Sequence, residues 1–172
     1  SRDGQTVAGL HIMNSGELRY NWNDDIAAHD WSSGLFVPDN VWTFIALVIE
    51  PDKATMYMND SMAVNAVAHG IEEFDGDFEI GRDTPGYFSG LMDELCIWNT
   101  ARTQEQIISN RQHIMRGNET GLIAYWRFNN DSGTVAGDYA VNGDHHGILT
   151  GNPSWVDDSP PVWHYGVTLT NG

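Results

Sequence analysis

Residues 41–50, VWTFIALVIE, followed at once by Pro51-Asp52 and then KATMYMND, limit the fold more than any other stretch. An almost unbroken apolar run must be buried, and the Pro-Asp pair turns the chain instead of letting a helix continue. The returning segment places Thr55, Tyr57 and Asn59 in alternation with Met56 and Met58, the two-residue period of a strand. VWTFIALVIE reads as a central strand with KATMYM beside it. The same pattern recurs along the chain. TVAGLHIM, the turn Asn14-Ser15-Gly16 and ELRYNW read as a hairpin. SMAVNAVAH, FEIGRD, YFSGLMDELCIW, GLIAYWRFN and GILTG read as further strands, and NDDIAAHD as a polar loop. Many short strands punctuated by 18 glycines indicate an all-β sandwich or barrel.

One helix interrupts the strands. Thr103 and Gln106 form a capping box, Ile107, Ile108 and Ile114 supply an apolar side, and Gly117 is a stop. At 172 residues with 41% hydrophobic content and seven Trp, the chain is long enough for about one well-packed domain. Pro160-Pro161 marks an edge, so residues 1–158 are expected to form the domain and 159–172 a linker or edge strand. The opening SRDGQTVAGL suggests a piece of a longer, processed chain with neighbouring domains.

Charge narrows the partners. Eight Lys plus Arg against 24 Asp plus Glu give a formal charge of -16, which repels nucleic acid and anionic membranes. No run approaches the roughly 20 apolar residues of a membrane span, so membrane insertion is not expected. The one cysteine, Cys96, lies between Leu95 and Ile97 and reads as a buried inert thiol. The seven His residues show no zinc spacing, and no nucleophile elbow, P-loop or dinucleotide fingerprint occurs.

The string YFSGLMDELCIWNTARTQEQI, with NVWTFIALVIEPDKATMYMND and FEIGRD before it in order, resembles the laminin-G-like, concanavalin A-like jelly rolls. The resemblance implies a two-sheet antiparallel β-sandwich with one short helix. It also implies a non-catalytic recognition module of a secreted or cell-surface multidomain protein, engaged in adhesion or lectin-like binding of a glycan or extracellular protein. The family's opening element is similar to GLIAYWRFNNDSGTVAGDYAVNGDHHGIL, which here follows the helix. Residues 121–158 are therefore expected to fold back as permuted opening strands, and one or two upstream strands to be missing. The alternative is a second repeat cut short.

Four groups of residues are candidates for chemistry. Adjacent strand residues point to opposite faces, so Asp93 and Glu94 are not expected to act on one bond, whereas paired-carboxylate glycosidases hold their carboxyls about 5–10 Å apart across it. A structural role, bonded to backbone N–H groups or to Arg82 or Arg102, is expected, with Asp93 also a possible metal ligand. Asp75, Asp77 and Glu79 alternate and resemble the acidic strand clusters of sandwich glucanases, which supports an alternative reading as a glycoside hydrolase or lyase through Asp77 and Glu79. Asp131, Asp138, Asn142 and Asp144 lie in a Gly-punctuated, oxygen-rich stretch suited to Ca²⁺. The family's loops hold calcium near this motif. Tyr20, Trp22, His29, Asp30 and Trp31 flank the NDDIAAHD loop and are the candidate glycan site, aromatic rings stacking on sugar faces and polar groups bonding hydroxyls. A spacer without a ligand is the third reading.

Overall fold

The computed structural model describes residues 8–71, 77–83, 86–111, 113–158 and 160. The chain divides into two compact units, Ser1–Gly90 and Leu91–Gly172. Most regular structure is antiparallel strand, as an all-β sandwich of the concanavalin A-like kind requires.

In the first unit, β1 (Ala8–Ile12) and β2 (Leu18–Trp22) form the expected hairpin, with Leu10 opposite Tyr20 and Ile12 opposite Leu18. Gly16 turns the chain at φ +83°, a left-handed conformation glycine adopts without strain. β3 (Ile45–Glu50), β4 (Lys53–Met58) and β5 (Ser61–Asn65) form a three-stranded sheet in that order. The central strand is thus β4, not the more apolar β3 as expected. β4 has Ala54, Thr55, Met56 and Tyr57 all buried, whereas in β3 only Val48 is. Position in the ladder, with a partner on each side, decides burial here more than hydropathy does.

Leu18 and Tyr20 from one face of β2 pack with Ala54 and Met56 from one face of β4, joined by Ala28 and Leu35. Each such large side chain contributes roughly 1.5–3 kcal/mol on burial. The polar stretch expected to be a loop contains a one-turn helix, α1 (Ile26–His29), whose N-cap Asp25 accepts from the Ala27 N–H at 2.9 Å. The FEIGRD strand shrinks to β6 (Arg82–Asp83), paired with β7 (Gly86–Tyr87).

In the second unit, β8 (Leu95–Trp98) pairs antiparallel with β9 (Leu122–Trp126), Leu95 opposite Trp126 and Cys96 opposite Tyr125. The segment resembling the family's opening strand therefore pairs with the segment resembling its closing strand. Between them runs α2 (Gln104–Arg111), capped as the sequence specifies: the Thr103 N–H donates to Gln106 Oε1 and the Gln106 N–H to Thr103 Oγ1. Ile107 is buried and Ile108 exposed, and Ile114 lies beyond the end of α2, so Ile107 alone carries its apolar contact. β10 (Val135–Ala136) and β11 (Gly147–Ile148) form a small ribbon. Gly117 is required by a close approach: at φ +87°, a Cβ would stand 2.0 Å from the Tyr139 carbonyl oxygen. Residues 161–172 and Ser159, the expected linker, lie outside the described residues.

Glu17 fastens the loop after α1 to β2. Its carboxylate accepts from the Ser32 hydroxyl, the Gly34 N–H at 3.0 Å and Arg19 Nε at 2.9 Å. Those bonds, Ser32 first, together with the Arg19 charge hold its pKa below the ordinary carboxylate value. A depressed folded pKa stabilises the fold above the unfolded carboxyl pKa of about 4.3, and the contribution fades as pH falls through the folded value. Glu17→Gln is expected to cost about 1–3 kcal/mol at pH 7, with a smaller difference from wild type in acid. Urea unfolding of both proteins at pH 7 and pH 3 checks the sign; an equal difference at both would contradict it.

Candidate functional site

Three segments converge at one end of the first unit. β2 runs out at Trp22 into Asn23 and Asp24, both left-handed at φ 56° and 51° and both of residue types that tolerate it. Asp24 Oδ1 accepts from Asn21 Nδ2 at 2.7 Å, and α1 follows. The second segment, residues 69–71, is tied in by Trp22 Nε1, which donates to the Gly70 carbonyl at 2.8 Å. The third, the Pro51-Asp52 turn, accepts the His69 N–H at 2.9 Å.

Beneath them lies a buried polar frame. Asn65 Nδ2 donates both to the Tyr20 hydroxyl at 2.8 Å and to the Ala27 carbonyl at 2.9 Å, and the Tyr20 oxygen stands 2.8 Å from His69 Nε2. Burial keeps the Tyr20 phenol above its ordinary pKa despite the Asn65 bond, with the Asp25 charge adding to the rise. The Tyr20 oxygen and Nε2 share one proton-mediated contact, and the phenol oxygen also accepts from Asn65. The buried His69 Nδ1 has no hydrogen-bond partner among the described residues.

This arrangement sorts the candidate glycan residues. Tyr20 is 1% exposed and its ring belongs to the core, so it offers no face to a ligand; this corrects the expectation. Trp31 packs against the core with its edge on Tyr20, ring centroids 5.8 Å apart. Trp22 is half-buried and held by Gly70. His29 and Asp30 are exposed and bond each other at 3.0 Å. Ile26 and Ile71, which no sequence signal singles out, are 72% and 95% exposed. An N-cap Asp before I-A-A-H signals α1, but Ala28 rather than Ile26 takes the core position.

The acidic pair of the second unit also departs from expectation. β8 starts at Leu95, so Asp93 and Glu94 precede the strand, and Glu94 is left-handed at φ 53°. Strand alternation therefore does not separate their side chains. Glu94 accepts from the Tyr125 hydroxyl, and Asp93 Oδ1 accepts the Glu94 N–H at 2.9 Å. Neither expected arginine is the partner: Arg82 pairs with Glu79, and Arg102 stacks over Trp98 at 4.0 Å. Burial raises the pKa of both carboxyls, and the Arg127 charge opposes the rise. Burial, then the Glu94 and Glu119 charges, pushes the Cys96 thiol far up, so it is inert at neutral pH. Through the Tyr125 hydroxyl, Glu94 latches the approach to β8 onto β9.

The alternative hydrolase residues Asp77 and Glu79 are exposed and lie outside any strand, with Glu79 bound by Arg82; Asp75 lies outside the described residues. In the oxygen-rich stretch expected to suit Ca²⁺, the Asp138 side chain is fully buried. Its Oδ1 accepts the Tyr125 and Ala140 N–H groups at 2.9 Å each, and its Oδ2 faces His145 N and Nδ1 at 3.3 and 3.2 Å. Burial raises its pKa, but these bonds outweigh burial and hold it low. Asp131, Asn142 and Asp144 are exposed, and Asp93 is half-buried against Glu94. Among the described residues no three His, Cys, Asp or Glu side chains form a group able to hold a metal ion. None of the described helices is long and apolar enough to cross a membrane.

No match was found among curated proteins, nor among solved structures. A laminin G-type family model, described as the concanavalin A-like lectin/glucanases superfamily, matches residues 1–108, more than half of the chain and every element from β1 to most of α2. The chain belongs to the concanavalin A-like lectin/glucanases superfamily.

Proposed function

We propose that this chain is a non-catalytic recognition module of a secreted or cell-surface multidomain protein, and that it grips a glycan or protein ligand with the end of the first unit. Membership of a superfamily of carbohydrate- and protein-binding domains supports the class of function. One observation carries the choice of surface. The buried frame of Tyr20, Asn65 and His69 fixes the segments that present Trp22, Ile26, His29, Asp30 and Ile71. A contact surface held rigid before binding loses little freedom on association. Calcium assistance is part of the proposal and rests on the family's loops together with the exposed oxygens of Asp131, Asn142 and Asp144.

The test is a binding screen of the whole chain against a glycan array and immobilised extracellular proteins, with calcium and with EDTA. For any ligand found, His29→Ala with Asp30→Ala is expected to weaken binding about tenfold, or roughly 1.4 kcal/mol, with an unchanged Tm because both side chains are exposed. Sugar release abolished by Asp77→Asn or Glu79→Gln would establish the hydrolase instead. Absence of any ligand would leave a spacer.

A further inference from the structure

Resting on that reading of the end of the first unit, we propose that its ligand is a protein segment that presents an aliphatic or aromatic side chain flanked by Lys or Arg. The surface has an apolar centre. Ile26 and Ile71 are 72% and 95% exposed, and each lies in a segment hydrogen-bonded to the half-buried Trp22. The Trp22 indole bonds Gly70, the residue before Ile71, and the Asp25 N–H donates to the Trp22 carbonyl at 3.1 Å, tying the start of α1 to the end of β2. Two of the most water-averse side chains are thus presented at one end, on backbone held by hydrogen bonds. A patch of this kind marks a contact with another apolar group.

The rim is acidic. Asp24, Asp25, Asp30 and Asp52 are all exposed around this centre. The one lysine of the chain, Lys53, is spent on Glu50 at 3.1 Å, and Arg19, at the far end of β2, is spent on Glu17. An apolar centre with a predominantly acidic rim is complementary to a basic segment and steers it in by its field. The same rim, within a chain of charge -16, repels sulfated and uronic-acid glycans. A neutral glycan gains nothing from the field of the acidic rim, and the Trp22 N–H is already committed to Gly70.

The experiment uses the whole chain and an array of ten-residue peptides with Leu, Phe or Trp between two and four Lys or Arg, alongside acidic and neutral peptides of the same apolar content and an array of neutral and anionic glycans. Selective binding of the basic peptides is expected, falling at least tenfold between 50 and 500 mM NaCl. Ile26→Ser with Ile71→Ser is expected to abolish it, and Asp30→Asn with Asp52→Asn to weaken it about fivefold while reducing the salt dependence. Equal binding of acidic and basic peptides, or binding unchanged in both double variants, would overturn the proposal. Binding of neutral glycans alone, sensitive to the isoleucine variant, would overturn it while leaving the recognition reading intact. No binding to any probe would overturn both.

Discussion

The Tyr20 hydroxyl is the constraint on which the first unit depends. Its ring fills the centre of the core, so its oxygen sits where no bulk water reaches. A buried hydroxyl left unpaired costs about 1–3 kcal/mol, and the fold avoids that cost by bringing two distant segments to it. Asn65 arrives at the end of β5 on the core-facing side of the strand, directly opposite Ala54. His69 arrives four residues later and is fixed in turn by its N–H to Pro51. Through Asn65, the same contact reaches the Ala27 carbonyl in α1. One phenol thus sets the positions of a strand end, a short helix and a connecting segment, and those carry the exposed residues of the proposed contact surface.

Carboxylates do comparable work elsewhere in this acidic chain, in two ways. Glu17, Glu119 and Asp138 accept several N–H bonds each and are held below the ordinary carboxylate pKa; Glu119 takes the Arg116 and Gly117 N–H groups at 2.8 and 2.9 Å. These side chains satisfy turns and loops whose backbone groups lack a strand partner. Asp93 and Glu94 differ, because burial outweighs what their partners return and their pKa values rise. Among the described residues only a few carboxylates are used in this way, and most of the others are exposed, where they govern which partners can approach.

Local signals were legible in the sequence wherever backbone chemistry alone decides the outcome. The Asn14-Ser15-Gly16 turn and the Thr103–Gln106 capping box form as read, because each is settled within four residues. Family strings placed the fold class. What escaped depends on tertiary neighbours. Tyr20 and Trp22 share a strand face and have similar amphipathic rings, yet one is in the core and the other at its edge, and nothing local distinguishes them. Ile26 is exposed because one turn of helix offers the core a single position, taken by Ala28. Asp93 and Glu94 do not alternate because the strand starts at Leu95, not at Tyr87 as the run YFSGLMDELCIW suggests, after a left-handed residue that no propensity favours.

On this reading the Tyr20 hydroxyl frame holds the proposed contact surface in place before any ligand binds. Amide hydrogen exchange of wild type and Tyr20→Phe, resolved by residue, tests it most directly, since the substitution removes one oxygen and leaves the ring in the core. The account predicts faster exchange at residues 26–30 and 69–71 in the variant, with protection of β8 and β9 unchanged. Protection at residues 26–30 and 69–71 equal to wild type would contradict it.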